Sequence, residues 1–238
     1  MPLQGVNKVL RLKTVFAGLA GLAAAIALPA AANAATVSIR DNPDNGGSVF
    51  ATGLGRSISI QHDGSNRNVQ AGAFSLQHDE NGGWTDFVTF CLQLSEYLSL
   101  PKDHERVAGG DYFGSSDDLE ALGVLYGDLM TADFALKNAN TAAAAQAIVW
   151  EIVEDGATSF DLAAGDFKLF TSDVLSEAQS LWALIISGDY LASAVDVFHA
   201  RGTQDLLTSA VPIPGALPLL LSGIAGLGFA SRKQRSRV

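Results

Sequence analysis

The chain has 238 residues, 15 of them basic and 25 acidic, for a net charge of −10. Seven of the basic residues and none of the acidic ones lie in residues 1–34 and 211–238, which leaves 176 residues between them with a net charge of −17. That stretch is long enough to bury a core. Its acidity argues against nucleic acid or an anionic lipid surface as a partner, and its single cysteine, Cys91, excludes an internal disulfide framework.

The first 34 residues read as a secretory signal peptide. Lys8, Arg11 and Lys13 make a positive start, Val15 to Leu28 is apolar, and Pro29 breaks the run. Ala32-Asn33-Ala34 then supplies small residues for cleavage before Ala35. The expected product is an exported domain over residues 35–210.

That domain opens with a strand-like Thr36-Val37-Ser38-Ile39 and a turn cluster from Asp41 to Gly47. The cluster fails the template of a calcium loop, because Pro43 occupies a ligand position and no Glu closes it. Alternation through Ser57-Ile58-Ser59-Ile60 before Asp63-Gly64-Ser65-Asn66 predicts a β-hairpin. Two echoing segments carry His62-Asp63 and His78-Asp79, each at a predicted strand end, where polar residues are ordinary. They could serve as metal ligands or an acid–base pair, or only as strand ends. Trp84 to Leu94, rich in aromatic and β-branched residues, predicts a central strand carrying Cys91. Gly109 to Gly114 reads as a loop.

The period then changes. Asp117-Asp118-Leu119-Glu120 can cap a helix with Leu119, Leu122, Leu125, Tyr126, Leu129 and Met130 on one face. A second helix over 140–154 is apolar nearly all round and should be buried. A third, from Ser172 to Ile186, carries a stripe of Leu175, Ala178, Leu181, Trp182 and Ile185. Residues 196–199 and 206–208 suit closing strands around a turn at Arg201-Gly202-Thr203. Strands, then helices, then strands predict an α+β fold: an antiparallel β-sheet or sandwich with an inserted helical layer, flanked by the signal helix and a C-terminal transmembrane helix.

That last helix is read from the end of the chain. Ile213 to Ala230 is about as long as a bilayer core needs, and Gly215, Gly223, Gly226 and Gly228 suit packing against another membrane helix. Arg232, Lys233, Arg235 and Arg237 follow and should hold the tail on the cytoplasmic side. The segment Val211-Pro212-Ile213-Pro214-Gly215, the apolar run and the basic stop together resemble the VPLPA variant of the PEP-CTERM sorting tail. The resemblance covers residues 211–238. It implies an exported protein of a Gram-negative bacterium that is processed by signal peptidase and by an exosortase, a membrane transpeptidase-like enzyme. Such a protein is held in the inner membrane at least transiently and then released to the cell surface or extracellular matrix.

Cys91 leaves three readings open: buried and inert, paired with another molecule, or chemically used. A partner for the last is Gln146, the one amide among the alanines of the 140–154 helix. A bare amide in a core costs a few kcal/mol, so a buried Gln146 needs a bond. Backbone could provide it, and so could Cys91, whose sulfur can attack a carboxamide, expel ammonia and leave a thioester. That reaction needs a thiolate, close placement and exclusion of water, for which Phe87, Phe90 and Trp150 are candidate shields. Phe90-Cys91-Leu92 and Ala145-Gln146-Ala147-Ile148-Val149-Trp150 resemble the aromatic-Cys-aliphatic strand and Thr-Gln-x-Ala-Ile-Trp helix of thioester domains in bacterial surface adhesins. The likeness spans about residues 84–155. It implies Cys91 as sulfur donor, Gln146 as acyl donor, and attachment to amines or hydroxyls of a matrix or another cell. Ala145 and Ile148 depart from the pattern, and Gln93 stands where an acidic residue is common. The alternative without a thioester is a passive exopolysaccharide or biofilm component.

Enzyme activity is not expected. No G-x-S-x-G elbow or H-E-x-x-H helix occurs. His62, His78, His104 and His199 lack metal-ligand spacing, and neither a metal nor a cofactor is expected.

Overall fold

The computed structural model describes residues 36–80 and 82–210. The expected signal peptide with its cleavage site at Ala32, Ala34 and Ala35, the expected sorting motif from Val211 to Gly215 and the expected membrane helix lie outside the described residues. Among the described residues no helix is long and apolar enough to cross a membrane.

The fold is α+β, with eight antiparallel strands and four helices among the described residues. Strand β1 (Thr36–Asp41) leads through a single 3₁₀ turn, capped by Asn42, to the hairpin of β2 (Phe50–His62) and β3 (Ser65–Asp79). The hairpin turns on Asp63 and Gly64, both at positive φ (50° and 72°). That conformation matches the right-handed twist of the flanking strands, and Asp-Gly adopts it readily. Next come β4 (Trp84–Thr89) and β5 (Lys102–Ala108). The helices follow: α1 (Gly109–Tyr112), α2 (Ser116–Tyr126) and α3 (Ala139–Glu154). A three-residue strand, β6 (Phe167–Leu169), precedes α4 (Ser172–Ile185), and β7 (Val195–His199) and β8 (Leu206–Ser209) close the domain.

The strands lie in the order β6-β2-β3-β1-β5-β7-β8, and β4 pairs with β3. Beyond β4 the chain goes on to meet β8. Cys91 opposes Leu206, the Leu92 N–H donates to the Asp205 carbonyl at 2.9 Å, and the Leu207 N–H donates to that of Phe90 at 3.0 Å. The pairings therefore form a closed circuit, β3-β1-β5-β7-β8-β4, in which residues 90–92 are the final link. Phe198 of β7 packs against His78 of β3 and Phe87 of β4, with ring centroids 5.6 and 5.5 Å apart. These strands are not neighbours in the circuit, so the aromatic cluster fills its interior, joined by Arg106 stacked over Phe198. Arg106 is held there by Glu80 and, at 3.1 Å, by Asp196.

Helix α3 lies on β2 and β3 and packs against α4. Asn138 and Thr141 form a reciprocal capping box at its start. Every residue from Thr141 to Ile152 is buried, as its all-round apolarity predicts.

Five details differ from the sequence reading, one being that α2 ends at Tyr126, so that Leu129 and Met130 lie beyond it. The predicted 84–94 strand ends at Thr89, and Cys91 lies in the crossing from β3 to β8. Gly109 to Tyr112 is one helical turn and not a loop. The α2 cap is Ser115, which accepts from the Asp118 N–H, because the helix begins one residue before the acidic pair. Strands β5 and β6 went unread, since Lys102-Asp103-His104-Glu105-Arg106 is charged and Phe167–Leu169 is too short to show a period.

Between Phe50 and Gly55 the register of β2 against β3 shifts at a bulge, and Gly72 faces it with φ 151°. A Cβ at Gly72 would stand 1.9 Å from the Leu54 carbonyl oxygen. Gly72→Ala should therefore cost about 2 kcal/mol or more, read as a fall of several degrees in a thermal melt.

Candidate functional site

The site is built where the crossing strand runs past α3. In an antiparallel pair, each residue turns its N–H and C=O either toward the partner strand or away from it. Around Cys91 the bonds to β8 are made by Leu92 and by Phe90. The N–H and C=O of Cys91 itself consequently face away from β8, into the protein, where unpaired peptide groups are costly. The Gln146 side chain meets both. Its Oε1 accepts from the Cys91 N–H at 3.0 Å, and its Nε2 donates to the Cys91 carbonyl at 2.7 Å. One carboxamide thus stands in for the missing neighbouring strand. Both residues are almost fully buried, at 2% and 1% exposure.

Cys91 lines a cavity of about 540 Å³ with Phe50, Phe74, Leu94, Leu98 and Trp150. Arg67, Glu96 and the exposed Tyr97 also contribute to its wall. Phe50 and Phe74 are a cross-strand pair with centroids 5.0 Å apart. Of the three shield residues read from the sequence, only Trp150 lines this cavity. Phe90 is buried in the core, and Phe87 belongs to the aromatic cluster with His78 and Phe198. Phe50, Phe74 and Leu98 were missed, because their approach to Cys91 depends on the bulge and on a loop that shows no periodicity.

Burial pushes the Cys91 thiol up to about 12, against the pull of the Trp150 indole and the Cys91 backbone N–H, which favour the thiolate. The Trp150 N–H is buried and makes no hydrogen bond. Gln93, which stands where a carboxylate was looked for, does meet one. Its amide donates to the Asp205 carboxylate at 3.0 Å and accepts from the Asp205 N–H at 3.0 Å. Asp205 was not singled out in the sequence. Its fully buried carboxylate also takes the Tyr112 hydroxyl at 2.7 Å, His199 Nδ1 at 2.9 Å and the Ala200 N–H at 3.0 Å. These bonds clamp the 199–205 turn beside the crossing strand.

The two His-Asp dipeptides are held apart, at opposite ends of β3. His62 pairs with Arg67 and, at 3.1 Å, with Glu154. His78 sits in the aromatic cluster 3.3 Å from Glu80, and burial lowers its pKa. Among the described residues no group of three or more His, Cys, Asp or Glu side chains is arranged to hold a metal ion.

Comparison with known proteins finds no matching family model, and no curated protein or solved structure of significant similarity.

Two expectations test this environment. Gln146→Leu keeps the bulk and strands the Cys91 N–H and C=O without partners, so urea unfolding should show a loss of about 2–4 kcal/mol. Glu151, next to Trp150, is fully buried; one oxygen accepts from the Asp161 N–H at 2.7 Å and the other has no partner. Burial, with repulsion from Asp155 and Asp161, raises its pKa from 4.5 to about 7. The folded state then holds a proton that the unfolded chain releases. Its contribution is complete below pH 4.5 and is lost as pH rises through about 7. Glu151→Gln should gain about 2 kcal/mol over the wild type at pH 8 and little at pH 4.5. The difference between the two proteins' denaturation curves isolates Glu151 from the histidines.

Proposed function

We propose that the chain is an exported surface protein whose domain attaches covalently to amines or hydroxyls through a Cys91–Gln146 thioester. The observation that carries this reading is the pair of hydrogen bonds between the Gln146 carboxamide and the Cys91 peptide, at 3.0 and 2.7 Å. They hold the acyl carbon of one residue beside the other residue's own backbone, which makes an attack by its sulfur effectively intramolecular. The bond from the Cys91 N–H falls on the carbonyl oxygen that gains negative charge during that attack. The sulfur adds to the Gln146 carbonyl carbon, the C–N bond breaks, and the thiol proton leaves with the amide nitrogen as ammonia. The dry surroundings slow hydrolysis of the product. The cavity against Cys91 gives a small nucleophile a path to it.

The rest of the reading comes from the two ends of the sequence. Signal peptidase would remove residues 1–34. An exosortase-type enzyme would act at Val211-Pro212-Ile213-Pro214-Gly215, with the following apolar run as an inner-membrane anchor until that step. The finer fold proposal is that α2, α3 and α4 form the inserted layer of a thioester-type domain.

A rival reading, a passive exopolysaccharide or biofilm-matrix component, draws on a different observation: a thiol pushed up to about 12 is a poor nucleophile at neutral pH.

The intact mass of the mature protein decides between them. A thioester predicts a mass lower by one ammonia, no alkylatable thiol, and addition of methylamine with release of that thiol. A full-length mass with a free thiol would leave the passive reading.

A further inference from the structure

We propose that Trp150 is a catalytic residue of this chemistry: its indole N–H is the hydrogen-bond donor to the Cys91 sulfur whenever that sulfur carries charge. The inference rests on the thioester reading and assigns a role that shielding does not require.

Trp150 lies four residues after Gln146 on α3, so one face of the helix presents both side chains. Its exposure is 2%. A buried indole normally finds an acceptor for its N–H, yet this N–H has no hydrogen-bond partner. Trp150 and Cys91 share the wall of the same cavity, so the sulfur is the group there whose developing charge an unpartnered N–H can meet. A neutral thiol is a weak acceptor, whereas a thiolate is a strong one. The bond therefore strengthens as charge develops, which is the condition for accelerating a step and not merely binding its reactant.

The donor acts in both directions. During formation it stabilises the attacking thiolate, until sulfur binds carbon and ammonia departs. During attachment an amine adds to the thioester carbonyl, the carbon–sulfur bond breaks, and sulfur leaves as thiolate against the same N–H. The amine's surplus proton then passes to sulfur. The products are a substituted Gln146 amide and a free Cys91 thiol. Besides this indole only the Cys91 backbone N–H favours the charge, and burial opposes it.

The test replaces Trp150 with β-(3-benzothienyl)alanine, which keeps the ring outline and exchanges the N–H for sulfur. Trp150→Phe serves as a second variant. Two rates are read by mass spectrometry on the full mature protein. One is opening of the thioester by methylamine. The other is alkylation of the free Cys91 thiol by iodoacetamide across a range of pH, using methylamine-opened protein. Loss of the donor should slow both by about ten- to a hundredfold and move the alkylation profile to higher pH, which a packing defect would not do. Unchanged rates and an unchanged profile in the benzothienyl protein would overturn the assignment. If the wild type has lost no ammonia, the covalent reading fails by itself. The alkylation arm, run directly on the wild-type thiol, then still supports or overturns the donor role by the same criterion.

Discussion

The structure depends on a strand that has a neighbour on one side only. After β4 the chain leaves β3 and crosses to β8, closing the circuit of strands through residues 90–92. At Cys91 the peptide groups that face away from β8 are buried, and a buried peptide group without a partner costs as much as a lost hydrogen bond or more. The Gln146 carboxamide has the donor and acceptor of a peptide at nearly the same spacing, and it satisfies both groups. The placing of an acyl carbon beside the chain's one thiol follows from this pairing.

The same pairing shows why a chemical reading and a structural one start from identical contacts. A glutamine that completes a strand must come within hydrogen-bond distance of its partner residue, so if that residue is a cysteine, nucleophile and electrophile are neighbours by construction. What separates the readings is how the sulfur can be charged. Burial opposes the thiolate, and the Asp205 carboxylate beside the crossing strand is occupied with Gln93, Tyr112, His199 and Ala200. The Trp150 N–H is the group left free to act on the sulfur, and it arrives on the same face of the same helix as Gln146.

Dryness also has a cost in this domain. Glu151 is buried one residue beyond Trp150 with an oxygen unpartnered, because a helix that is apolar nearly all round has no outer face on which to place a carboxylate. The acidic loop residues Asp155 and Asp161 sit close enough to raise its pKa further. The helix that carries the proposed acyl donor therefore also carries a pH-dependent strain on stability.

Much of the architecture was legible along the chain. Period-2 alternation and Asp63-Gly64 gave the β2–β3 hairpin, and all-round apolarity gave a buried α3 with one amide, Gln146, among its alanines, because both signals are local. β5 was missed because its charged side chains point out on one face and, on the other, Arg106 is buried by ion pairs that no periodicity records. The wall of the cavity was half read: Trp150 lies one turn from Gln146, whereas Phe50 and Phe74 reach Cys91 through a bulge. By itself the sequence determined the acidity of the domain, the expectation of sorting signals at both ends, and the identity of the lone thiol and the buried amide. Only the tertiary structure decided that these two meet, since their contact spans 55 residues and is made by a peptide edge that exists only once the strands have closed.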